Sequence, residues 1–196
     1  TSPLSTTHSS STHSAPALIR SVLIDGQEVI FRPFTTPASI SVQLYSLREE
    51  MKDGKHAAIL RQLGEIGYTG VEGAGFYGLT AKKFRALVND CGMVVSSIYT
   101  GTATTETVQQ CIDLHYELGC DYAISGFWMP DFENADAIKR TADRVAPILE
   151  PLRKAGITFA LHNHWAEFNR IDGVLVYDLL FKHCPGVRLE IDRALS

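Results

Sequence analysis

Residues 154–168 read KAGITFALHNHWAEF and pass from the end of a helical pattern, through a glycine, into an apolar run that ends in polar side chains. Glycine at the stop position of a helix supplies the left-handed backbone that a C-cap requires. The apolar run over 157–162 has the length of a buried strand. This order of helix, glycine, strand and polar end is typical of the repeating unit of parallel α/β sheets.

The same unit recurs along the chain at intervals of roughly thirty residues, which predicts repeated βαβ units. Strands are predicted over 40–47, 70–74, 94–99, 122–125, 157–162 and 187–192. Helices are predicted over 56–66, 80–91, 105–118, 135–155 and 174–182. No Gly-rich phosphate loop follows the first strand, and its absence favours a (β/α) barrel over a doubly wound sheet.

The chain before these units has two parts of different composition. Residues 1–15 are almost all Ser, Thr and His, which cannot bury enough apolar surface to offset chain entropy. In residues 16–39, Asp25-Gly26 separates two apolar-rich runs and therefore predicts a tight hairpin. The predicted domains are a disordered tail over 1–15, a hairpin with a linker over 16–39, and a partial barrel over 40–196.

Composition and charge restrict the class of partner. The 196 residues are 45% hydrophobic and 20% charged, as in ordinary globular domains. The net charge of −4 provides no general positive field to attract nucleic acid. No apolar run reaches bilayer-spanning length, and the four cysteines are widely spaced without a C-x-x-C pair. We predict a cytoplasmic protein that binds neither nucleic acid nor membrane, with homo-oligomer formation left open.

Ionisable side chains concentrate at the carboxyl ends of the predicted strands, where a parallel barrel builds its site. Alternation places His162 and His164 on one side of an extended chain, so both can face one centre. Asp192, in LEID, adds a hard oxygen ligand from the next strand. Imidazole with carboxylate suits Mn²⁺, Mg²⁺, Co²⁺ or Zn²⁺. Two hydrogen-bonded loop histidines are the plainer alternative.

Other residues at these strand ends have both a structural and a functional interpretation. Glu72 lies among glycines that leave room for a ligand, but a buried scaffold carboxylate would explain it equally well. Arg48 can clamp a carboxylate or phosphate, or can pair with Glu72. Four aromatic residues are suited either to stacking on a sugar ring or to core packing. They are Phe76, Tyr77, Phe127 and Trp128.

Five pieces of the sequence resemble, in order and spacing, the sugar phosphate isomerase/epimerase family with the xylose isomerase-like TIM barrel. They are VQLYSLR, GYTGVEGAGFYGLTAKKFRALVNDCGM, LGCDY, KAGITFALHNHWAEF and LEID. The resemblance covers nearly all of residues 40–196 and implies an α/β fold, an incomplete barrel with about six of the eight β/α units. A complete barrel has about 250 residues, so we expect a fragment of a longer gene product that is inactive alone.

The resemblance also implies a divalent metal held by carboxylates and a histidine, with acid–base residues that move a proton between neighbouring carbons of a keto sugar. At the matching positions, the predicted metal ligands are His162 and Asp192. The predicted catalytic residues are Glu167, His164 and Glu72. The predicted substrate-binding residues are Arg48, Tyr99, Trp128 and Trp165. Many members have a glutamate at the position of His162. A subgroup with the pattern HNHxxEF has a histidine there, as this chain does.

The expected activity is that of a metal-dependent isomerase or epimerase, which acts on a sugar, sugar phosphate or sugar acid through an enediolate. A keto-sugar dehydratase or lyase is an alternative, because the same enediolate can expel a leaving group. A non-catalytic or fragmentary barrel that acts as a binding or assembly module is a second alternative. An abasic-site endonuclease ranks last, because it requires a basic groove for DNA.

Overall fold

The computed structural model describes residues 20–24, 27–31 and 39–192. The chain divides into two units between Ser39 and Ile40. In the first unit, strands β1 (Arg20–Ile24) and β2 (Gln27–Phe31) pair antiparallel. The tail predicted over 1–15 and the turn predicted at Asp25-Gly26 lie outside the described residues.

The second unit is an alternation of strands and helices. Its strands are β3 (Ser41–Gln43), β4 (Gly70–Gly73), β5 (Val94–Tyr99), β6 (Tyr122–Gly126), β7 (Thr158–His162), β8 (Arg170–Ile171), β9 (Val174–Leu175) and β10 (Arg188–Glu190). Its helices are α1 (His56–Ile66), α2 (Ala81–Asp90), α3 (Val108–Leu118), α4 (Ala135–Lys154) and α5 (Val176–His183).

Six of the strands form one parallel sheet in the order β10-β7-β6-β5-β4-β3, and β8 pairs antiparallel with β9. The predicted incomplete α/β barrel is therefore confirmed. Its apolar core includes Phe84 from α2 and Leu152 from α4, both fully buried. No helix among the described residues is long and apolar enough to cross a lipid bilayer.

Local sequence signals explain where several helices begin and end. The Thr80 hydroxyl accepts a hydrogen bond from the Lys83 amide at 3.3 Å and caps α2. Gly67 and Gly119 follow α1 and α3 with φ of 110° and 68°, the left-handed backbone that glycine adopts without steric cost.

The third helix begins at Val108 rather than residue 105, the last strand spans only Arg188–Glu190, and two further predicted elements include residues that belong to a different kind of element. The first strand ends at Gln43, and a 3₁₀ turn over Leu44–Leu47 follows it, with Leu44 fully buried. The last helix was predicted from residue 174 but begins at Val176, because residues 174 and 175 form β9. Between β8 and β9, Asp172 and Gly173 have φ of 49° and 82°, as a two-residue hairpin turn requires.

A bulge in β5 sets the register between β4, which carries Glu72, and β5, which carries Ser97. Val71 lies opposite Val95, but Glu72 lies opposite Ser97, so Ser96 is an extra residue in β5. The Ser96 hydroxyl donates to the Val71 carbonyl at 3.0 Å. The bulge thereby brings Ser97 level with Glu72.

Candidate active site

A cavity of about 430 Å³ opens where the parallel strands end. Residues from all of β3 to β7, or from the loops that follow them, line it. They are Gln43, Tyr45, Glu72, Ala74, Gly75, Tyr99, Trp128, His162 and His164. One carboxyl group, two imidazoles and three aromatic rings therefore share one wall at the end of a barrel where enzymes of this architecture place their sites.

Glu72 lies at the base of this wall and is only 5% exposed. Gln43 Nε2 donates to its Oε1 at 2.6 Å, and the Ser97 hydroxyl donates to its Oε2 at 2.7 Å. Both donors are register neighbours, since Glu72 lies opposite Gln43 in β3 and opposite Ser97 in β5. Burial, reinforced by a hydrogen bond and charge from Glu190, raises the pKa of Glu72 to about 7.

On the other side of the cavity, His162 pairs with Glu190. The two residues lie opposite each other in β7 and β10, and His162 Nδ1 is 2.9 Å from Glu190 Oε2. This hydrogen bond raises the pKa of His162, although burial acts against it. Burial acts to raise the pKa of Glu190, but its hydrogen bonds with His162 and Glu72 bring the pKa below its usual value.

Glu190 thus contacts both His162 and Glu72. With Glu190 ionised and the pKa of Glu72 near 7, the two carboxyl groups hold one proton between them in weakly acidic solution. The site therefore contains a group able to donate or accept a proton close to neutral pH.

Aromatic rings form the outer part of the cavity. The Trp128 ring stacks on His164 with centroids 4.3 Å apart, and it remains 58% exposed. The His162 and His164 rings meet edge to face at 5.4 Å. Although β7 ends at His162, His164 still lines the same cavity, as the alternation of the two histidines predicts. Trp128 therefore offers an accessible ring face beside two imidazoles.

Asp192 lies two residues beyond the end of β10. Its Oδ2 is 3.8 Å from His162 Nε2, and its backbone is hydrogen-bonded to the Asn163 side chain. Because His162 Nδ1 faces the Glu190 carboxylate, the neutral imidazole carries its hydrogen there and presents the Nε2 lone pair towards Asp192.

These two residues fit a divalent metal as part of a ligand set. Ligands about 2 Å from one ion lie at most about 4 Å apart, and the Nε2 to Oδ2 distance of 3.8 Å is within that range. The hydrogen bond from His162 Nδ1 to Glu190 is the usual outer contact of a ligating imidazole. Among the described residues, no group of three or more His, Cys, Asp or Glu residues is placed to bind one ion.

The remaining predicted residues are not all at the cavity wall. Glu167 is 2% exposed and lies behind His164, whose backbone amide donates to Glu167 Oε2 at 3.0 Å. Arg48 stacks over the Tyr45 ring at 4.5 Å and donates to the Tyr45 carbonyl at 3.0 Å, and it does not pair with Glu72. Trp165 is 57% exposed, with its ring 6.4 Å from that of His164, and it is outside the lining.

Sequence reasoning did not assign roles to Gln43, Ser97, Glu190 and Asn163. Glu190 had a usable signal, because it shares a strand face with Asp192 in LEID. Gln43 and Ser97 had none, because their contact with Glu72 depends on the strand register and on the bulge at Ser96. Asn163 is the central residue of HNH, and its contacts with Asp192 cannot be read from the spacing of the two histidines.

Comparison with known proteins identifies the family to which this fold belongs. The sequence profile described as xylose isomerase-like TIM barrel matches residues 60–180. The chain belongs to this family. A search of curated proteins finds no match.

Solved structures with the xylose isomerase-like fold include a sugar phosphate isomerase/epimerase from Parabacteroides distasonis. It is 25% identical, with a TM-score of 0.65 over 82% of this chain and 67% of that one. An AP endonuclease, family 2, from Brucella melitensis is 13% identical, with a TM-score of 0.59 over 78% and 67% of the two chains.

A third xylose isomerase-like protein, from Mycobacterium smegmatis, was solved in complex with magnesium. It is 18% identical, with a TM-score of 0.56 over 79% of this chain and 64% of that one. The last two similarities show the fold alone. The present chain spans about two thirds of the length of these three xylose isomerase-like structures.

Proposed function

We propose that the cavity is the active site of a metal-dependent isomerase or epimerase that moves a proton between neighbouring carbons of a small sugar. The observation that carries the proposal is the hydrogen-bonded pair of Glu72 and Glu190 beside His162, at the carboxyl ends of the parallel strands. A group with a pKa near 7 transfers protons efficiently in both directions at neutral pH.

Glu72 is the proton carrier in this proposal. Its carboxyl lines the cavity, and Gln43 and Ser97 hold its two oxygens in place. In an isomerisation its ionised form removes the proton from the carbon next to the carbonyl and returns it to the neighbouring carbon on the same face, while the hydroxyl proton passes between the two oxygens. In an epimerisation it only removes the proton, and an acid on the opposite face supplies the new one. Fixed orientation contributes to the rate, because the carboxylate does not have to be positioned anew in each turnover.

Trp128 and His164 orient the substrate. The exposed Trp128 face offers an apolar surface for the C–H face of a sugar ring, while the imidazole ring of His164 is a hydrogen-bonding group for sugar oxygens. Glu167 accepts the backbone hydrogen of His164 and so fixes the segment that carries the imidazole. Tyr99 adds a phenol whose pKa is raised by burial, and it therefore stays protonated as a donor.

A divalent ion would be held by His162 Nε2 and Asp192, and when bound it would polarise the substrate carbonyl as a Lewis acid. Glu190 keeps the His162 ring in the orientation and tautomer that this ligation requires. The site residues thus divide into a proton carrier, a substrate surface and a pair of metal ligands.

The experiment follows proton transfer directly. The purified full-length protein is incubated in D₂O with a panel of aldo and keto sugars and their phosphates, and NMR records deuterium incorporation next to the carbonyl. We expect incorporation that disappears with EDTA and returns with Mn²⁺ or Mg²⁺. Glu72→Gln should slow it about 10²–10⁴-fold.

Glu49→Gln is the matched control, since Glu49 is an exposed carboxylate paired with Lys52 away from the cavity. Full activity in rigorously metal-free protein would contradict the metal dependence. Equal rates for Glu72→Gln and the unaltered protein would contradict the role of Glu72. Sugar binding without deuterium incorporation would favour a binding module.

A further inference from the structure

Asn163 is a buried polar residue at the centre of the HNH segment. It is 1% exposed, whereas the histidines on either side of it line the cavity. A buried carboxamide is costly unless its donors and acceptor are satisfied, so the identity of its hydrogen-bond partners is informative.

All of its side-chain hydrogen bonds go to backbone groups, two of them on Asp192. Asn163 Oδ1 accepts from the Asp192 amide at 2.9 Å, and Nδ2 donates to the Asp192 carbonyl at 3.1 Å. Nδ2 also lies 3.3 Å from the His164 carbonyl. One side chain therefore binds both backbone polar groups of a residue 29 positions away.

These bonds continue the sheet beyond its last strand pair. The ladder between β7 and β10 ends with His162 opposite Glu190, and Asp192 is two residues further on. There the Asn163 carboxamide, which offers a donor and an acceptor as a peptide group does, bonds to the Asp192 backbone as a neighbouring strand would. An aspartate lacks the donor, and a serine is too short to contact both groups.

We infer that Asn163 is a positioning residue, which holds the Asp192 carboxylate beside His162 and so sets the geometry of the two proposed metal ligands. This inference rests on the ligand roles in the proposed function. The two bonds from Asn163 tie the backbone of Asp192 to the residue that follows β7, beyond the end of the ladder. They thereby hold the chain at the point where Asp192 Oδ2 lies 3.8 Å from His162 Nε2.

The test compares Asn163→Leu with Asn134→Ala. Leucine has nearly the size of asparagine but makes no hydrogen bonds. Asn134 caps α4 through a 2.9 Å bond to the Ala137 amide, so its loss destabilises the fold away from the cavity. Two quantities are measured on the full-length protein: the Mn²⁺ dissociation constant by electron paramagnetic resonance, and hydrogen exchange at the Asp192 amide. If Asn163→Leu does not fold, Asn163→Ser takes its place.

We expect Asn163→Leu to weaken Mn²⁺ binding at least 10-fold and to remove protection of the Asp192 amide, while Asn134→Ala changes neither. Lost protection with unchanged Mn²⁺ affinity would overturn the inference, because Asn163 would then be only a structural tie. Unchanged protection would overturn it as well.

If the unaltered protein binds no Mn²⁺, the metal in the proposed function is wrong, and the inference about Asn163 fails with it. If the unaltered protein and Asn163→Leu bind Mn²⁺ equally well, the metal stands and the positioning role alone is rejected. Equal exchange in both proteins rejects it.

Discussion

The side chains of Glu72 and Glu190 hydrogen-bond to each other, although three strands separate β4 from β10 in the sheet. A flat sheet with strands about 4.8 Å apart would hold these two side chains far out of reach. The pair therefore exists because the sheet is curled as in a barrel. Curvature, rather than proximity in sequence, makes the acid–base chemistry available.

Glu190→Gln should lower the pKa of His162, because the hydrogen bond to Glu190 is the largest cause of its raised value. The measurement is an NMR titration of the His162 ring protons in metal-free protein. Glu150→Gln is the control, since Glu150 is exposed and pairs with Arg153 on α4. A His162 pKa that is the same in Glu190→Gln as in the unaltered protein would show that the pair does not form.

Glu72→Gln should flatten the pH dependence of the free energy of unfolding. In the folded protein the pKa of Glu72 is raised from 4.5 to about 7 by burial, so the native state binds the proton more tightly than the unfolded chain. The contribution is fully present below about pH 4.5 and is lost as the pH rises through about 7, by at most about 3 kcal/mol. Urea denaturation from pH 4 to 8 measures the difference between the two proteins. A difference that does not change with pH would contradict the raised pKa.

Gly126→Ala should destabilise the protein through Tyr99. An added Cβ would lie 2.7 Å from the Tyr99 hydroxyl oxygen, and the backbone there needs no left-handed conformation. We expect the free energy of unfolding to fall by about 1–3 kcal/mol. In a Tyr99→Phe background, which lacks that oxygen, most of the loss should disappear. Equal losses in both backgrounds, measured by urea denaturation, would rule out this contact as the cause.

Gly173→Ala should destabilise the β8–β9 hairpin by about 1 kcal/mol, because Gly173 has a φ of 82° that alanine adopts only with strain. Asp172→Asn is the control, as asparagine tolerates the positive φ of residue 172. Thermal unfolding gives the comparison. A melting temperature of Gly173→Ala equal to that of the unaltered protein would contradict the turn geometry.

Local patterns predicted much of the fold. The apolar spacing in α1 gave its bounds, and Thr80 caps α2 without a capping box because Lys83 stands three residues later. The β8–β9 hairpin was missed even though Asp172-Gly173 is the same dipeptide signal as Asp25-Gly26. The helix prediction began at residue 174, because Val174 and Leu175 fit the apolar spacing of α5, although they form β9.

Site residues were predictable from the sequence only where several of them lie in one short segment. The segment from His162 to Glu167 contains two cavity imidazoles and the carboxylate that fixes their loop, and it was found as a cluster. The contacts of Glu72 with Gln43, Ser97 and Glu190 join four strands. No spacing within the sequence encodes such contacts, because register, the bulge and curvature act together to produce them.

The additional serine in β5 makes the serine contact to Glu72 tolerant of a one-residue deletion. Ser96 and Ser97 both border a second opening, of about 590 Å³, on the sheet, and only Ser97 contacts Glu72. Loss of the codon for either Ser96 or Ser97 would restore the one-to-one register and would leave a serine opposite Glu72 in both cases.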